Sequence, residues 1–137
     1  MSESAIHLVV FACNWDGLSC LEEAARGGLG YPASVRVVRV SCLSRLHQGL
    51  MLKAFELGAD GVMLLGCEPG NCQYDIDAGL ITQEFEKAQT VLKLLGLGEE
   101  RLVLCQTARG DGPGFVRRVT DFAKEIEQMQ PAVTAGA

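Results

Sequence analysis

No cluster of lysines and arginines with interleaved aromatics occurs in these 137 residues, and 17 acidic against 12 basic side chains leave a formal charge of −5. That distribution excludes a phosphate-tracking surface, and with it nucleic acid as a partner. No apolar run approaches the ~20 residues of a membrane span, and Met1-Ser2-Glu3-Ser4 places no basic region ahead of the first apolar stretch. A soluble, cytoplasmic chain is expected. No Ser/Pro-rich linker or charge block divides the sequence, so one α/β domain over residues 1–130 is expected, followed by a flexible tail over 131–137. The two histidines, His7 and His47, form no Cys/His or Ser/His/Asp arrangement. Gly110-Asp111-Gly112-Pro113-Gly114 lacks the Lys-Ser/Thr of a phosphate loop and reads as a plain turn.

Six cysteines are present without a Cys-x2-Cys pair and without either ferredoxin-type cysteine run. In a compartment that keeps thiols reduced, that number favours metal or redox chemistry over a disulfide framework.

Short, continuous, branched runs alternate with helical periods. Ile6–Phe11 reads as a buried strand, and Leu18–Arg26 as a helix with Leu18, Leu21 and Ala25 on one face, ended by Gly27-Gly28. Val35–Val40 is a second strand, whose Arg36 and Arg39 mark a sheet edge or the strand ends. Leu46–Leu57 is a helix with Leu46, Leu50, Ala54 and Leu57 at helical spacing, capped by Gly58. Gly61–Leu65 is the most apolar strand. Ile76–Leu95 is a long helix with Ile81, Phe85, Ala88, Leu92 and Leu95 inward, Arg101–Cys105 a fourth strand, and Phe115–Met129 a last helix with Phe115, Val119, Phe122 and Ile126 inward.

Four strands alternating with four helices require a parallel sheet with right-handed crossovers. The simplest form is a small open, flavodoxin-like sheet of order 2-1-3-4 with helices on both faces. Ligands in such sheets sit beyond the carboxyl ends of the strands. Cys13, Cys42, Cys67 and Cys72 all follow the first three strands, so distant cysteines are expected on one rim. Four converging thiolates suit a soft metal or an iron–sulfur cluster, and spacing does not choose between zinc and Fe–S. The plainer account makes them small hydrophobes at strand ends. For Cys20, inside a helix, and Cys105, placed at the end of strand four, core packing is the expectation.

The order of Phe11-Ala12-Cys13-Asn14-Trp15, Tyr31-Pro32 with Arg36–Val40 and Cys42, Ala54-Phe55 with Gly58–Val62, and Gly66-Cys67-Glu68-Pro69-Gly70-Asn71-Cys72-Gln73-Tyr74 resembles the delta, iron–sulfur subunit of methyl-viologen-reducing, F420-non-reducing hydrogenases. The resemblance implies an electron-transfer subunit rather than a catalyst, carrying one [2Fe-2S] cluster on Cys13, Cys42, Cys67 and Cys72. It further implies electron relay, in anaerobic metabolism, between a hydrogenase or formate dehydrogenase and the flavin subunit of a heterodisulfide-reductase-type complex.

The chain departs from that family's pattern at Asp16, where the family reads a second cysteine in Cys-Asn-Trp-Cys, and at Glu68, Asn71 and Gln73 in the two-cysteine loop. Asp16 could replace a ligand with oxygen, Cys20 could be recruited, the cluster could be absent, or the four remaining cysteines could be a complete set. Two other classes stand beside the electron carrier. One is a cluster-less structural adaptor of such a complex; the other is a thiol-dependent sulfur-transfer enzyme using Cys67 or Cys72, activated at a helix N-terminus.

Overall fold

The computed structural model describes residues 6–43, 46–68 and 79–129. Four strands, β1 (Leu8–Cys13), β2 (Val35–Val40), β3 (Gly61–Cys67) and β4 (Leu102–Thr107), alternate with four helices, α1 (Asp16–Arg26), α2 (Gln48–Glu56), α3 (Gly79–Leu94) and α4 (Gly112–Gln128). The sheet is parallel throughout, in the order β2-β1-β3-β4. The expected α/β class, order and helix placement are therefore observed.

Parallel strands covered on both faces need no polar side, which is why β3 is buried from Gly61 through Gly66. Alternating residues feed two cores. Leu8, Val10, Ala12, Met63, Leu65 and Cys105 pack with Cys20 of α1 and with Phe115, Val119, Phe122, Ala123 and Ile126 of α4. Phe11, Cys13, Val62, Leu64 and Leu102 pack on the other face with Met51 and Phe55 of α2 and Ile81, Ala88 and Leu92 of α3. At the amino ends of the strands, buried Arg101 donates to the carbonyls of Asp60 (3.0 Å) and Leu97 (2.9 Å), and the His7 amide donates to the Asp60 carboxylate at 2.9 Å.

Boundaries and faces differ from expectation in five elements, and again at the start of α4. β1 starts two residues later than Ile6 and ends in Cys13 itself, so His7 precedes the strand. β4 runs on to Thr107, which places Cys105 inside the strand rather than at its end. In α2 the buried residues are Met51 and Phe55, while Leu50 is half exposed and Leu57 is 74% exposed; two apolar stripes compete on this helix and the bulkier one faces the sheet. In α3 and α1, Leu95 lies past the helix end at 64% exposure, and Ala25 is exposed while Cys20 and Ala24 are buried. Residues 76–78 and the tail from 131 lie outside the described residues.

α4 begins at Gly112, inside the segment that reads as a turn. Asp111 caps it by accepting from the Gly114 amide at 3.0 Å, and Pro113 occupies its first turn. A Cβ on Gly112 would lie 2.6 Å from the Ala24 backbone nitrogen, so the α1–α4 approach requires glycine there. Gly112→Ala is expected to cost about 2 kcal/mol in urea unfolding. Gly30→Ala, a site with nothing within 4 Å of the added Cβ, is expected to stay within about 0.5 kcal/mol of wild type. Equal midpoints for the two variants would contradict this packing.

Candidate functional site

Parallel register sets the site. Cys13 ends β1 opposite Val40 of β2, and Ala12 pairs with Leu65 of β3, two residues before Cys67. The two cysteines therefore reach the same carboxyl rim, where Cys13 Sγ and Cys67 Sγ are 3.8 Å apart. Cys13 is buried and Cys67 half buried.

The start of α1 closes over this pair. Trp15, at the N-cap, contributes no side-chain cap, so the helix's first amides need other acceptors. Sulfur supplies them: the Gly17 amide donates to Cys13 Sγ at 3.1 Å, and the Asp16 amide donates to Cys67. Gly17 is needed for that approach, because a Cβ there would lie 2.6 Å from the Leu65 carbonyl oxygen and 3.3 Å from Cys13 Sγ. The N-terminal end of α1 also carries the positive end of the helix dipole, which favours charge on the sulfurs.

The remaining cysteines are placed as follows. Cys42 is buried two residues beyond Val40, and the next residue, Leu43, packs against Gly66, which adjoins Cys67. Among the described residues no group of three or more His, Cys, Asp or Glu side chains is arranged to hold a metal, so Cys42 does not join the Cys13–Cys67 pair in such a group. Cys72 lies outside the described residues. Cys20 sits in the α1–α4 core, with its thiol on the Ala108 carbonyl at 3.3 Å and Thr107 Oγ1 at 3.4 Å. Cys105 is buried in the same core and accepts from Arg118 Nη1 at 3.0 Å; burial pushes its thiol above the ordinary value and the guanidinium pulls the other way.

Asp16 is buried at 2% exposure, and its carboxylate Oδ1 accepts from Arg109 Nε at 2.8 Å. Arg109, in the turn after β4, escaped the sequence reading. Its signal was topological, since any loop following a strand of this sheet reaches the same rim.

Burial, and then the neighbouring Cys13 sulfur, push the Cys67 thiol from 9.0 up to about 12, although the Asp16 amide acts in the opposite sense. The raised Cys67 thiol, held 3.8 Å from the Cys13 sulfur in a partly desolvated niche, keeps its proton until a cation replaces it.

These features define a class: a small open parallel α/β domain that presents a thiol pair at the crevice where the crossover direction reverses between β1 and β3. The chain belongs to the family described as methyl-viologen-reducing hydrogenase, delta subunit, whose model matches residues 8–130. It is 34% identical over 124 residues to the F420-non-reducing hydrogenase vhc iron-sulfur subunit of Methanococcus voltae, covering 90% of this chain and 86% of that one. It is 29% identical over 131 residues to the F420-non-reducing hydrogenase vhu iron-sulfur subunit of Methanopyrus kandleri, covering 96% and 98%. It is also 31% identical over 127 residues to one subunit of the ferredoxin:CoB-CoM heterodisulfide reductase of Methanosarcina mazei; that match takes in 90% of this chain but spans 16% of the relative. No helix among the described residues is long and apolar enough to cross a membrane.

The raised Cys67 thiol gives a pH dependence of stability. Between about pH 9 and about 12 the folded chain retains a proton that the unfolded chain has released, so stability of the reduced, metal-free protein is full below about pH 9 and falls as pH rises through that window. Cys67→Ser is expected to reduce this slope without abolishing it, because Cys105 is raised in the same direction. Urea unfolding between pH 7 and 10.5 measures it, and an unchanged slope in Cys67→Ser would contradict the assignment.

Proposed function

We propose that this chain is an electron-transfer subunit, not itself a catalyst, that carries one [2Fe-2S] cluster on Cys13, Cys42, Cys67 and Cys72. It relays electrons between a hydrogenase or formate dehydrogenase and the flavin subunit of a heterodisulfide-reductase-type complex.

The observation that carries this reading is the thiol pair. Two thiolates bound at about 2.3 Å to one tetrahedral metal stand roughly 3.8 Å apart, and the Cys13–Cys67 sulfurs are separated by 3.8 Å. The donor set fits iron, because thiolates are its ligands in such clusters and amides directed at the sulfurs tune its potential. Cys13 and Cys67 would hold one metal atom. Cys42, entering from the β2 loop whose Leu43 seats on Gly66, and Cys72, five residues beyond Cys67, would complete the set.

When bound, such a cluster supplies a site that takes up and releases single electrons. The chain's own part is to hold the thiolates, to direct the Asp16 and Gly17 amides at them, and to bury Cys13. The partner follows from the relatives. A stretch 31% identical to this chain lies within one much longer heterodisulfide reductase polypeptide, and a domain fused to such a polypeptide in one organism is expected to dock on it as a separate chain in another.

Anaerobic reconstitution with iron and sulfide is expected to give two irons per chain and visible absorption. Replacing Cys13, Cys42, Cys67 or Cys72 with Ser should reduce iron retention at least tenfold, whereas Cys105→Ser should keep it and lose only packing stability. Wild-type protein that holds iron in fewer than about a tenth of chains, before and after reconstitution, would replace the electron carrier with a cluster-less adaptor.

A further inference from the structure

The turn between β4 and α4 grips the start of α1 at three points. Arg109 Nε donates to the Asp16 carboxylate at 2.8 Å, the Gly110 amide donates to Ser19 Oγ at 2.8 Å, and the Cys20 thiol donates to the Ala108 carbonyl at 3.3 Å. Ser19 passes the contact on, its hydroxyl donating to the Asp16 carbonyl at 2.7 Å. Gly110 adopts φ 77°, a left-handed conformation that glycine enters without strain. The residue held at both its carboxylate and its carbonyl is thus the one whose amide faces Cys67, and the next amide donates to Cys13.

We infer that Asp16 is a positioning residue rather than a ligand: its carboxylate is committed to Arg109, and this ion pair fixes the α1 amides on the thiol pair and places a permanent cation beside it. The inference rests on the electron-carrier reading for its electrochemical half and on the structure alone for its mechanical half. One observation separates the Asp16 carboxylate from the sulfurs' ligand set: its Oδ1 is taken up by Arg109 Nε at 2.8 Å. The Asp16 side chain is only 3% exposed where it meets the guanidinium. Arg109 is 62% exposed on its side chain, so it can be altered without opening the core.

The charges have opposite expected effects. The Arg109 cation stabilises the more negative, reduced state and raises the reduction potential; the Asp16 anion lowers it. Loss of a merely structural contact would move both variants in the same direction.

The test uses the full chain reconstituted anaerobically with ferrous iron and sulfide, titrated for its midpoint potential, alongside the reduced, metal-free protein. Asp16→Asn should keep wild-type iron content and visible spectrum and raise the potential. Arg109→Gln should keep the iron and lower it, and Arg109→Lys should restore most of the difference. In the metal-free protein, the destabilisation of the double variant should be clearly smaller than that of the two single variants combined. Loss of iron in Asp16→Asn alone would make Asp16 a ligand and overturn the inference, as would shifts of equal sign in the two variants. Additive destabilisation would also overturn it. If the wild type takes up no iron, the electron-carrier reading falls, and the metal-free cycle decides the ion pair without it.

Discussion

The in-register parallel pairing of β1 between β2 and β3 is the constraint from which the rest follows. With Ala12 opposite both Arg39 and Leu65, the first three strands end within a few residues of one another. Every residue that follows a strand is then delivered to the same rim. Had β3 paired two residues out of step, Cys67 would sit about 7 Å from its place beside Cys13, and the start of α1 could not reach both sulfurs.

The helices serve that register by covering the two faces unequally. α4 presses its first turn onto the backbone of α1, with glycine at the contact, and Phe115 meets Tyr31 edge-to-face at 5.6 Å. α1 is thereby anchored from behind, and its amino end meets the sulfurs. On the other face, α2 and α3 leave Leu50, Leu57 and Leu80 largely uncovered. The thiol pair lies on this α2/α3 side, where Cys13 joins the core and Cys67 packs against it, and the braced start of α1 reaches it over the strand ends, in keeping with a site whose donors must hold their positions.

Much of this was legible in the sequence because strands buried on both faces are short, branched and continuous, and β3 is the clearest of them. The strand order and the shared rim followed from connectivity. The helix faces were less legible: Leu50 shares α2 with Met51 and Phe55 while Leu57 caps its end, and periodicity alone does not say which stripe turns inward. Cys13, Cys42 and Cys67 were found from strand ends. The placement of Asp16 was not, since its partner Arg109 lies 93 residues away and no local spacing records a salt bridge of that span. Gly17 likewise carries no pattern; its necessity comes from the Leu65 carbonyl, which only the folded chain brings near.

Among the described residues β2 is an outer strand with no strand paired on its far side, and its six residues, Val35-Arg36-Val37-Val38-Arg39-Val40, read the same in either direction. A second copy approaching about a two-fold axis, antiparallel and centred, would set each Arg36 against an Arg39. Like charges opposed across neighbouring strands are destabilising, so the palindrome that could nucleate an eight-stranded sheet carries its own repulsion. A short valine-rich edge thereby works against the two-fold pairing that its own palindrome would otherwise favour.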